Sequence, residues 1–177
     1  MGELLILAAL AAAGVLFLLW LARLARRPTP LPQGPPAQPW HRVTRVRDGD
    51  TLEVDMDGVT VPVRVLGIDT PETVHPDKPV EHYGPEASAE AHRLLDGQWV
   101  QITMDLLRRQ HVDAYGRLVA YVTLPDGWDY GWLMLVNGYA RENTFAGQRY
   151  ERRPGYLHAE TLARAASVGM WATARHY

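Results

Sequence analysis

Residues 48–72 read DGDTLEVDMDGVTVPVRVLGIDTPE, and this stretch decides the fold. Asp48-Gly49-Asp50-Thr51 is a turn, because Asp-Gly tolerates a left-handed corner. Beyond it Leu52 and Val54 alternate with Glu53 and Asp55, the period of a short strand with one apolar face. Asp57-Gly58 turns the chain again. Val59, Val61, Val63 and Val65 then share one parity, with Pro62 and Arg64 on the other, and Leu66-Gly67-Ile68 predicts a bend or bulge at the strand's end. The hairpin brings Asp50, at the start of one strand, toward Ile68-Asp69 at the end of its partner. Asp69-Thr70-Pro71-Glu72 is the exit, and Pro71 stiffens it while withholding a backbone donor.

Two carboxylates meeting at strand ends repel unless a cation or a proton lies between them. Hard oxygen donors with gaps for water suit Ca²⁺ or Mg²⁺, so Asp50 and Asp69 are candidate ligands of a divalent ion. Each acid taken alone is also ordinary turn chemistry. The run Glu53-Val-Asp55-Met-Asp57-Gly58 imitates the first half of an EF-hand loop, but Arg64 stands where the bidentate Glu belongs and strand alternation continues through it, which excludes that motif. Arg64 is the odd member of a valine-rich strand. It reads either as a solvated outer position or, if its face borders the carboxylate pair, as a bidentate grip on a phosphate held by the same ion.

The chain of 177 residues, 47% apolar and 21% charged, fits one globular domain with an appendage. Leu4 to Ala22 contains no charged residue; as a helix it reaches about 28 Å, enough to span a membrane. Glu3 precedes it and Arg23, Arg26 and Arg27 follow, the wrong polarity for a cleaved signal, so residues 1–27 read as an uncleaved transmembrane anchor. The arginine flank favours a cytoplasmic location for the remainder. Residues 28–39 hold six prolines, the composition of a stiff extended linker. The soluble domain is residues 40–177.

Val43 and Val46 lead as a strand into the hairpin. Tyr83-Gly84-Pro85-Glu86 opens a helix whose stripe is Ala87, Ala91, Leu94 and Leu95, and Gly97 stops it. Trp99 to Met104 is a strand, Asp105 to Asp113 an exposed charged loop, and Leu118 to Leu124 a second strand entered through Tyr115-Gly116-Arg117. A short helix between Asp129 and Asn137 and a final one from about Pro154 to Ser167, with Leu157, Thr161, Leu162 and Ala165 inward, complete the domain; Trp171 packs back on the barrel. No repeat of 20–50 residues recurs. These elements predict an α+β fold, an OB-like five-stranded β-barrel with about three helices. The absence of cysteine is compatible with either side of a membrane.

From about Arg42 to Trp171 the chain resembles the thermonuclease (staphylococcal nuclease-like) family. Asp48-Gly-Asp-Thr51, Arg64, Asp69-Thr-Pro-Glu72, His75-Pro with Val80 through Ser88, and Asp113-Ala-Tyr-Gly-Arg117 carry the resemblance, in the family's order. It implies Asp50, Asp69 and the Thr70 carbonyl as ligands of a catalytic Ca²⁺, and Arg64 and Arg117 on the scissile phosphate. Glu72 is implied to orient or deprotonate water, with Tyr115 beside the bound nucleotide. The implied activity is hydrolysis of DNA and RNA to 3′-phosphate products, extracytoplasmic in the family's habit, and a monomer is expected. A non-catalytic OB-like module binding nucleic acid or protein is the alternative. Three of 18 basic and one of 20 acidic residues precede His41, leaving the domain 15 against 19, so general attraction to phosphate is weaker than in the lysine-rich family type. Ala114 stands where a lysine often precedes Tyr-Gly-Arg, the loop before it is about two residues longer, and Asn143, Thr144 and Phe145 replace tyrosines that meet substrate.

Overall fold

The structure, a computed structural model, describes residues 39–73, 80–144 and 147–172. By contact the chain separates into Met1–Pro32 and Gln33–Tyr177, and the described residues all belong to the second. The expected anchor and most of the proline-rich linker lie outside the described residues, as do His75 and Phe145. Among the described residues no helix is long and apolar enough to cross a membrane.

Five strands close into a barrel: β1 (Trp40–Asp48), β2 (Thr51–Met56), β3 (Val59–Val65), β5 (Trp99–Thr103) and β6 (Leu118–Thr123). Neighbours run antiparallel except β3 and β6, which pair in parallel with Arg64 beside Val119. A second, two-stranded sheet joins β4 (Ile68–Asp69) to β7 (Arg141–Glu142). The helices are α1 (Gly84–Leu95), α2 (Tyr130–Val136) and α3 (Arg153–Ala166), followed by a short 3₁₀ turn over Gly169–Trp171. Strand alternation produces closure directly. Leu52, Val54, Val63 and Val65 are all buried inside the barrel, whereas Val59, beside the Asp57-Gly58 turn that closes the hairpin, is 62% exposed although it shares the parity of Val63 and Val65.

Helix α1 buries Ala87, Ala91 and Leu95 on the predicted stripe, entered from Tyr83 in a left-handed conformation. Helix α3 turns nearly the opposite face inward from the one expected, and all four expected positions, Leu157, Thr161, Leu162 and Ala165, are exposed. It buries Tyr156, Ala159, Glu160 and Ala163. Alanines let α3 approach α2 closely, and Glu160 is held inside because it accepts the Glu142 amide at 2.8 Å and Arg164 Nε at 2.9 Å. A mixed stripe with one satisfied acid therefore wins over a purely aliphatic one.

Two further expectations change. The loop after β5 is not wholly exposed: Asp105 is fully buried, accepts the Leu107 amide at 2.9 Å and the Glu151 amide at 2.6 Å, and receives the Tyr121 hydroxyl. Trp171 packs against α3 and β7. Its ring is half-buried beneath Arg164, whose Cζ is 3.7 Å from the centroid, with Arg141 at 5.6 Å. Cation–π stacking satisfies the indole face without burial of the whole side chain.

Candidate active site

A cleft of about 670 Å³ opens beside the mouth of the β2–β3 hairpin, lined by Asp50, Thr51, Arg64, Asp69, Thr70, Glu72, Tyr115 and Arg117, together with Arg47, Asp48, Pro62 and Glu81. All seven site residues predicted from sequence are on its wall. Three devices bring them there. Register sets Thr51 across from Arg64, the Val65 amide donates to the Asp50 carbonyl at 2.9 Å, and the Leu66 amide donates to the Ala120 carbonyl of β6 at 2.9 Å. The turn at 48–51 therefore cannot move independently of β3, nor β3 of β6, which delivers Arg117.

The turn is also braced from below. Tyr130, fully buried at the start of α2, donates its hydroxyl to the Gly49 carbonyl at 2.6 Å. Gly49 is required for contact: a Cβ there would lie 2.7 Å from Thr70 Cγ2. Thr70 is thus pressed against the turn, and its amide donates to Asp50 Oδ2 at 3.1 Å.

One Arg64 nitrogen, Nη2, lies 3.0 Å from Asp50 Oδ2 and 2.8 Å from Asp69 Oδ1, so the two acids share a cationic group. Nη1 of the same guanidinium donates to the Ile68 and Val65 carbonyls at 2.7 and 3.0 Å, which fixes the side chain in the corner made by Gly67 at φ +82°. Arg117 is held by Asp113, whose Oδ2 accepts Nε at 2.7 Å; it also reaches Thr51 Oγ1 at 3.5 Å and lies 5.2 Å over the Tyr115 ring. Tyr115 itself is 84% exposed, an aromatic face presented to solvent at the rim. Glu72 Oε1 accepts the Thr73 amide at 3.1 Å, and its carbonyl accepts the Glu81 amide at 2.9 Å.

The electrostatics are unbalanced toward acid. Burial raises Asp48 to about 6, with Asp50 and Glu72 adding to the rise while the Gly49 amide and Thr73 hydroxyl oppose it. Burial likewise raises Asp69; Arg64 opposes it, and Asp50 and Glu81 reinforce it. Asp113 behaves in the opposite way. Burial pushes it up, but the Arg117 amide and guanidinium and the Tyr115 amide outweigh that and hold it below the usual carboxylate range.

Among the described residues no group of three or more His, Asp or Glu side chains gathers as a metal cluster. The donor set nevertheless fits one hard cation. Two carboxylates already converge on a positive group, both Asp48 and Asp69 resist ionisation, and the buried Thr70 hydroxyl oxygen beside them has no hydrogen-bond partner. Sequence reasoning treated Asp48 only as a turn residue and passed over Glu81 and Arg47 as cleft residues. The Asp48-Gly-Asp50 spacing contained the signal for the first, since it sets two acids around one corner.

Residues 62–173 match the staphylococcal nuclease homologue family. The chain belongs to that family. It is similar to a thermonuclease of Staphylococcus hyicus, 41% identical over 125 residues covering 71% of this chain and 68% of that protein. A thermonuclease of Staphylococcus intermedius is 48% identical over 84 residues, 48% of each chain. The endonuclease YncB of Bacillus subtilis is 40% identical over 97 residues, 55% of this chain and 44% of that protein. This chain thus spans about half the length of two of these three relatives.

Proposed function

We propose that the domain is a calcium-dependent nuclease that hydrolyses phosphodiester bonds of DNA and RNA and leaves 3′-phosphate ends. The observation that carries this reading is the joint lining of one cleft by Asp50, Asp69, Glu72, Arg64 and Arg117. A surface that only bound nucleic acid would have no use for the acids, which repel phosphate.

Asp50, Asp69 and Thr70 would hold the calcium, which supplies, when bound, positive charge to a phosphate that gains negative charge during displacement. Arg64 on β3 and Arg117 from the turn just ahead of β6 grip the non-bridging phosphate oxygens with planar forks, stabilising that charge further. Glu72 accepts a proton from, or orients, the attacking water in line with the leaving oxygen. Tyr115, exposed at the rim, presents a stacking face to the adjoining base. We also propose that Leu4–Ala22 anchors the chain in a membrane, with residues 28–39 as spacer; protease treatment of intact cells identifies the side on which the domain lies.

The test is degradation of denatured DNA and of RNA by the full chain with calcium and then with EDTA. Loss of cleavage in EDTA and its return with calcium are expected. Substrate binding without cleavage under every metal condition identifies a non-catalytic module instead.

A further inference from the structure

The outer face of β1 is more basic than the chain as a whole. Arg42, Arg45 and Arg47 are all exposed along it, whereas Val43 and Val46 turn into the barrel. Two irregularities in the β1–β2 register, between Val43 and Arg45 and between Val46 and Asp48, place these arginines on one side despite their uneven spacing. The formal charge of the whole chain is −2, so three arginines on one strand face are a local reversal of sign.

The row joins two features. At its near end Arg47 lines the cleft, its Nε 2.7 Å from Glu53 Oε1. At its far end Trp40 and Trp99, 43% and 55% exposed, line a hollow of about 200 Å³ together with Arg42. Register explains the pairing of indoles: Trp40 lies across from Gln101 and Arg42 across from Trp99, so both rings project from the same outer face. Acids border the row as well: Asp55 lies across from Arg42, Glu53 across from Arg45, and Asp57 lines the hollow. Glu53 is held by Arg47, and Asp55 Oδ1 accepts the Gly58 amide at 2.7 Å. Exposed indoles beside guanidinium groups combine a stacking surface, indifferent to base identity, with charges that follow a phosphate backbone.

We propose that β1 is a second substrate-binding track: a single strand leaving the cleft runs past Arg47, Arg45 and Arg42 and stacks a base in the Trp40–Trp99 hollow. The inference rests on the nuclease reading for its starting point. Seven residue steps from Arg47 to Trp40 span about 23 Å of strand, a distance that several nucleotides cover in an extended conformation. The track compensates for the net acidity of the domain, which otherwise weakens its hold on long polyanions.

The experiment compares a dinucleotide, with one phosphodiester bond, and a single strand of about twelve nucleotides as substrates of the full chain. Trp99→Ala and the double variant Arg42→Ala/Arg45→Ala are expected to raise KM for the long strand about tenfold. They should leave kcat and all dinucleotide kinetics unchanged. In the double variant the salt dependence of long-strand affinity should flatten by a slope of about 1.4, two phosphate contacts' worth. An unchanged long-strand KM overturns the track, as does an equal loss on both substrates. Loss of affinity for anionic vesicles with long-strand KM intact also overturns it, and assigns the face to a membrane surface. Anisotropy with the labelled long strand separates this proposal from the nuclease reading. Weaker binding by Trp99→Ala, with no turnover in any form, removes the nuclease and keeps the track.

Discussion

Two polar regions of the domain solve the problem of buried charge in opposite ways. Beneath α2 and α3, Asp129 is saturated: it caps α2 by accepting the Trp132 amide at 3.1 Å, receives the Tyr156 hydroxyl at 2.8 Å, and pairs with Arg152 Nη1 at 2.7 Å. Arg152 in turn stacks 4.1 Å over Tyr121, whose hydroxyl meets the buried Asp105. Each acid there has its own donors. At the cleft, Asp50 and Asp69 divide one Arg64 nitrogen, and Asp48 and Asp69 are pushed toward protonation. The first region is finished as folded. The second remains short of positive charge, and on the function proposed above the difference separates a cluster that holds structure from one that would receive a cation and a phosphate.

The largest expected effect breaks the second region without disturbing the first. Glu72→Gln should lower turnover by about 10²–10⁴-fold with melting temperature unchanged, and Arg117→Ala should fall in a similar range. Rates on denatured DNA beside thermal melts check both; near-normal turnover removes the assigned roles. Next, Asp129→Ala should cost about 3 kcal/mol in urea unfolding, because Arg152 and Tyr156 lose their shared acceptor. The fraction that remains folded should cleave at the normal rate.

A pH experiment sharpens the contrast. Asp48 is raised from 3.8 to about 6, so without calcium its ionisation works against folding. Stability is greatest below 3.8 with respect to this group and declines as pH rises from there through about 6. Asp48→Asn should remove that decline, and calcium should reduce it in the unaltered chain; melts in EDTA across this range read both. The smallest effect concerns Asp113, which is lowered. Its contribution is complete above the ordinary 3.8 and disappears as pH falls through its depressed value. Asp113→Asn should cost about 1 kcal/mol at neutral pH and abolish the acid-side loss.

Much of the cleft was legible because its residues obey local rules. Asp50 and Arg64 flank one hairpin, where turn chemistry and a period of two fix their relative positions, and Asp69 and Glu72 follow on the short segment that leaves it, although β4 pairs with β7 rather than extending β3. Arg117 follows a Gly turn at a strand entrance. The bracing was not legible. Tyr130 and Gly49 are 81 positions apart, and Glu151 and Asp105 are 46 apart, so no local pattern connects them. Helix α3 misled for a related reason. Leu157 and Leu162 form the more apolar stripe, yet Glu160 is buried by partners on β7 and on its own next turn that hydrophobic periodicity cannot register.

The parallel pairing of β3 with β6 has a temporal consequence. Val63 to Val65 meet Leu118 to Ala120 across more than fifty intervening residues, so closing this seam belongs among the slower, long-range steps of assembly. A nascent chain that has formed only its early hairpin possesses Arg64 but lacks Arg117, and on the proposed function its hydrolytic competence arrives when the circle of strands is complete. Recovery of cleavage after dilution from denaturant is then a clock for that seam, running behind any signal that reports the first hairpin alone.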